Sequence, residues 1–152
     1  MADRLDIEVI GFEFLSAIDR AASQLEKPGA LMNLIGATME ENIALRFITK
    51  TDPNGNAWLP LAASTLKRKK GVGSILELSG HGKSSLGYNL GIDGSFVEIG
   101  FGESYMGYHE TGTQRMPRRQ LLTDDFNAGT LGAQDQADVL ADIEAFLLNL
   151  GL

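Results

Sequence analysis

Asp52-Pro53-Asn54-Gly55-Asn56-Ala57-Trp58-Leu59-Pro60-Leu61, continuing into Ala62-Ala63-Ser64-Thr65-Leu66-Lys67, is the stretch on which the reading of this chain turns. It holds the single tryptophan and two of the four prolines. Proline presets φ, while Asn and Gly tolerate positive φ, so Pro53-Asn54-Gly55 predicts a tight turn. Trp58 then brings a large apolar ring back onto whatever precedes the turn. The expected core cluster here is Phe47, Trp58 and Leu61. Pro60 stops regular structure, and Ser64 or Thr65 is placed to cap a short helix that leads into the basic run Lys67-Arg68-Lys69-Lys70.

Upstream of the turn, Leu31, Leu34, Ile35, Met39, Ile43 and Phe47 form an apolar stripe at helical spacing, which predicts a long helix over 30–47. Before it, Phe14, Leu15, Ile18, Ala22 and Leu25 predict another helix, ended by Lys27-Pro28-Gly29. Leu5, Ile7 and Val9 alternate with Asp6 and Glu8, the period of a short strand. Downstream, glycines at 71, 73, 80, 82, 87, 91, 94, 100 and 102 separate short apolar runs. Asp93-Gly94 between Ile92 and Phe96 is the best hairpin signal in the chain. Val139, Leu140, Ile143, Phe146, Leu147 and Leu150 predict a C-terminal amphipathic helix, with Asp135, Asp138 and Asp142 expected on its opposite face. Helices, strands, then helix gives an α+β fold: N-terminal helices and a C-terminal helix packed on a small antiparallel sheet, with long Gly-rich loops. One domain over 1–152 is expected.

The turn also belongs to a larger pattern. Arg46-Phe47 at a helix end, Pro-x-Gly-x-x-Trp-x-Pro-Leu, and Thr65-Leu66-Lys67 are followed by Ile75-Leu76 with Ser79-Gly80. A third block comprises Val97-Glu98-Ile99-Gly100, Tyr105, His109, Gly112, Pro117, Arg119 and Leu122. In this order the blocks resemble the virion-morphogenesis (tail completion) proteins of Mu-like tailed bacteriophages. The chain departs from that family's Pro-Ala-Arg-Pro-Phe-Leu-Gly pattern, reading Pro117-Arg118-Arg119-Gln120-Leu121-Leu122. The resemblance implies a non-enzymatic virion protein, akin to tail terminators, that completes the tail and joins it to the head connector. Its implied partners are further copies in a ring, with a hexamer favoured, the connector or stopper proteins and the tail tube. Genomic DNA would only pass through the channel. The implied location is the neck or upper tail of the virion, reached from the host cytoplasm.

Composition fits that class. No cysteine is present, so disulfides and thiolate metal sites are excluded. No apolar run approaches the length of a membrane span, and the first residues lack a signal-peptide core, so a soluble intracellular product is expected. The net charge of −7 is unevenly spread: residues 51–119 hold six acids and eight bases, and 120–152 hold six acids and no base. A basic face meeting an acidic face on a neighbour is the sharper reading of this split; plain solvation is the blander one. The acidic C-terminal segment is a further candidate for lining a DNA channel.

Several strings mimic chemistry and each fails a position. Gly80-His81-Gly82-Lys83-Ser84 lacks the first glycine of a phosphate loop, because Glu77 stands there. Asp52, Asn54 and Asn56 match three EF-hand ligands, but Ala57 and Ala63 replace the required Gly and Glu. His81 and His109 are the only histidines and no nucleophile elbow surrounds a serine, so neither catalytic residues nor a metal or cofactor is expected. The candidate functional residues are interface residues: Lys67, Arg68, Lys69 and Lys70, expected on the side opposite the acidic tail, together with Tyr105, His109, Arg115, Arg118 and Arg119. His109 is expected to hydrogen-bond near Tyr105 and Tyr108. A small nucleic-acid or host-factor binding module is the alternative, disfavoured by a pI near 4.7.

Overall fold

The computed structural model describes residue 25, residues 27–77 and residues 79–151. The strand expected at Leu5–Val9 and nearly all of the helix expected to end at Leu25 lie outside the described residues. The remainder is α+β. A long helix α1 (Gly29–Thr49) is followed by α2 (Ala63–Lys69), α3 (His81–Ser84), strands β1 (Leu86–Leu90) and β2 (Val97–Phe101), α4 (Gly107–Thr111) and α5 (Ala133–Asn149). One 3₁₀ turn, Ser104–Met106, leads into α4.

α1 is the central element, lying against the hairpin and against α5. Its buried row is Leu31, Met32, Ile35, Gly36, Met39, Ile43, Arg46 and Phe47, a repeat of three and four that keeps one side of a helix inward. Leu34 is only half-buried. Lys50 ends the helix in the left-handed region, φ 57°, with its N–H on Arg46 O at 2.8 Å.

The sheet is a two-stranded antiparallel hairpin in which Tyr88 pairs with Ile99 and Leu86 with Phe101. Alternation turns Leu86, Val97, Ile99 and Phe101 toward the core. The sheet packs close because Gly36 gives it room: a Cβ there would sit 2.3 Å from the Tyr88 ring. Tyr88 Oη donates to Asn33 Oδ1 at 2.9 Å on the same face. The expected turn closes the hairpin. Gly91 N–H reaches Phe96 O at 2.8 Å, Gly94 takes φ 71°, and Asp93 Oδ1 accepts the Ser95 N–H and hydroxyl.

The Pro53 turn also forms. Asp52 Oδ1 accepts the N–H groups of Asn54 and Asn56, each at 2.9 Å, an Asx arrangement with no need of a cation. Trp58 then pairs its N–H with Lys50 O at 2.8 Å and packs edge-on against Phe47, centroids 6.2 Å apart. Phe101 meets the other side of Phe47 at 6.1 Å. Phe47 and Trp58 are buried, whereas Leu61 is half-buried and outside the core cluster, because the chain has already turned outward at Pro60. Residues 75–77 do not form a strand. Ser74 and Glu77 close a tight turn around Ile75 and Leu76, and Leu76 is held at φ 61°.

Two local expectations are corrected. α2 begins at Ala63 after Ala62, with no hydroxyl cap, and Lys67 to Lys69 form its last turn rather than a loop. Positive charge there suits the carbonyl end of a helix. The second correction concerns α5. Asp135, Val139, Asp142 and Phe146 are spaced four, seven and eleven residues from the first, with Asp138 three along, and such positions share a face. The aspartates therefore flank the apolar stripe and turn toward α1. Asn42 Nδ2 donates to Asp135 at 3.0 Å and Asp138 at 2.9 Å, and Thr38 donates to Asp142. Each of these carboxylates thus accepts a hydrogen bond from α1.

Candidate interface site

The segment 103–123 forms an arm built around one buried carboxylate. Glu110, on α4, is 1 % exposed. Its Oε1 accepts the N–H groups of Leu121 at 2.5 Å and Leu122 at 2.7 Å. Its Oε2 accepts the Thr123 hydroxyl at 3.2 Å and the Thr123 N–H at 3.4 Å. Burial pushes the Glu110 pKa upward, and these four donors pull it back in part. The carboxylate thereby fixes α4 against the extended segment that follows.

Between those ends, Thr113 and Met116 close a turn whose tip is Gln114-Arg115. Arg118 is exposed, with its Nε donating to Glu110 O at 2.6 Å. Arg119 is different, because its side chain turns inward. It is 6 % exposed, with Nε on Leu59 O at 2.9 Å and one terminal nitrogen on Pro60 O at 3.0 Å. A guanidinium spends its fork there on carbonyls that Pro60 and its neighbour leave without a ladder partner. Trp58 Nε1 donates to Gln120 O at 3.0 Å beside it.

His109 is half-buried, its Nδ1 has no hydrogen-bond partner, and burial followed by the nearby Arg119 charge lowers its pKa. The hydrogen bond expected of the imidazole near Tyr105 and Tyr108 is therefore not made by that nitrogen. Both tyrosines are exposed, Tyr108 at 58 %. The outward surface of the arm thus carries Tyr105, Tyr108, Arg115 and Arg118.

The other basic group is split. Lys67, Arg68 and Lys70 are exposed, but Lys69 Nζ turns back onto Ser74 O and onto Glu77 O at 3.1 Å. Glu77 anchors this corner: it pairs with Lys50 at 2.7 Å and Lys83 at 3.1 Å and accepts from Ser74 Oγ at 2.6 Å. The Lys50 contact, with Ser74 and Lys83 adding to it, lowers the Glu77 pKa to about 2. Lys83 also lies 5.8 Å above the Phe47 ring, so the lysine of the phosphate-loop mimic is a structural tie. Among the described residues no group of three His, Cys, Asp or Glu side chains is placed to hold a metal ion, and no helix is long and apolar enough to cross a membrane.

The sequence does not reveal that the polar residues organising the arm and the core are buried. Glu110 and Asp135 carried no motif. Arg46 was read as part of a motif, yet its place in the α1 apolar row, three residues after Ile43, is itself the mark of a buried charge needing a partner. That partner is Asp135, at 2.5 Å.

No curated protein and no solved structure matches the chain. The family model for the phage virion morphogenesis family matches residues 12–145, which spans α1, the Trp58 turn, the arm and most of α5. The chain belongs to the phage virion morphogenesis family.

Proposed function

We propose that this protein is a non-enzymatic structural component of the virion that completes the tail and joins it to the head connector, assembling as a ring, with a hexamer the favoured number. The family supports a role in building the virion. The observation that carries the finer reading is the arm. Exposed Tyr105, Tyr108, Arg115 and Arg118 sit on a segment that Glu110 and Arg119 hold rigid. Exposed tyrosine and arginine on a preorganised backbone are the residue types that dominate protein interfaces. Rigidity lowers the ordering cost of docking.

The test is Arg115→Glu with Arg118→Glu, both outside the core. The expected result is a folded protein that no longer forms rings in electron micrographs and fails to give tailed, headed particles in complementation. Normal particle yields would overturn this reading. A salt-sensitive shift of labelled DNA by the wild-type protein would favour the binding-module alternative instead.

A further inference from the structure

A second surface shares no residue with the arm. The last turns of α1, the Pro53–Gly55 turn and the start of α5 enclose an open cleft of about 540 Å³. Its charged lining is Arg46, Asp52, Asp135 and Asp138, so acids outnumber the single base. Arg46 pairs with Asp135 Oδ1 alone. Asp135 is 0 % exposed at the cleft floor, and its Oδ2 accepts no hydrogen bond. A buried carboxylate oxygen without a donor is costly and marks a position where a donor is wanted. Leu45 lines one wall at 52 % exposure, and Ile48, one turn on, is 71 % exposed.

We propose that this cleft receives the Arg115 turn of a second copy of the chain. Arg115 stands at a two-residue tip, exposed and without a side-chain partner among the described residues. A guanidinium offers five N–H donors in a planar fork, matched to a site rich in carboxylates. Of the other exposed cations, Lys27 precedes α1, Arg118 spends its Nε on Glu110 O, and Lys67, Arg68 and Lys70 ride on or beside α2. A helix with its side chains is about 10–12 Å across, too thick to enter a cleft of this size. Cleft and tip share no residue, so the contact is heterologous: one surface of a copy meets a different surface of the next, the arrangement that closes rings. The contact rests on the self-assembly proposed above and supplies its geometry.

The absence of cysteine makes a clean test. Asn54→Cys on the cleft rim and Gln114→Cys on the tip are made in separate chains, carrying tags of different size, and mixed under mild oxidation. Wild-type sedimentation is measured alongside. The expected result is a mixed disulfide forming on the order of a hundredfold faster than either homodimer, as docking raises effective concentration toward the millimolar range. Arg115→Asp should abolish it, and adding Asp138→Arg to the partner should restore it. A wild-type oligomer without the preferred mixed disulfide overturns the cleft contact alone. A wild-type monomer at all concentrations overturns both the contact and the ring.

Discussion

Arg46 and Asp135 meet 2.5 Å apart in the interior, joining the end of α1 to the first turn of α5. Arg46 also donates to Leu121 O at 2.5 Å, so one guanidinium ties both long helices to the arm. Removing one partner strands the other charge in the core, at a cost of about 3–5 kcal/mol. Asp135→Ala and Arg46→Ala should each show this loss in urea titration. Arg46→Ala with Asp135→Ala should cost less than the two single changes summed, which a double-mutant cycle measures.

Trp58→Ala should destabilise the fold by about 3–5 kcal/mol as a large core truncation. The buried indole predicts weak acrylamide quenching of the single tryptophan in the native state. Trp58→Phe keeps most of the packing against Phe47 but loses the bond to Gln120 O, so it should cost less.

At Gly36 the helix and sheet are already in contact. Gly36→Ala places a methyl inside the Tyr88 ring volume and should cost about 1–3 kcal/mol through overpacking. Adding Tyr88→Ala should remove that specific penalty, and thermal melts of the two singles and the double would expose the coupling.

Acid should weaken the corner held by Glu77. Its folded pKa, about 2, lies below the ordinary 4.5, so the stabilisation is present above the ordinary value and is lost as pH falls toward 2. The side chain is partly solvated, and the effect should shrink in high salt. Glu77→Gln should flatten the slope of stability against pH in this window, as read from melting points in low-salt buffer.

Much of the fold was legible because it is encoded locally. The α1 stripe, the Asp93-Gly94 hairpin and the Pro53 turn each depend on residues close in sequence. The buried polar contacts were not legible, since Arg46 finds Asp135 across 89 residues. The acidic face of α5 was misread because charge was taken as a sign of solvent, whereas the angular positions of Asp135, Asp138 and Asp142 place them toward α1. The arm was legible as a segment but not in its division: sequence offered Arg118 and Arg119 as a pair, and folding turns one outward and one inward.

That inward turn gives the arm a mechanical character. Arg119 grips Leu59 and Pro60 while Trp58 grips Gln120, so two segments about sixty residues apart are stitched side by side by bonds running crosswise between them. A pull on Arg118 or Tyr108 loads these stitches together, with the Glu110 clamp, instead of peeling them one after another. Tension arriving at the outer surface therefore passes straight into α1 and the Phe47 cluster, and the arm acts as a bracket instead of a hinge.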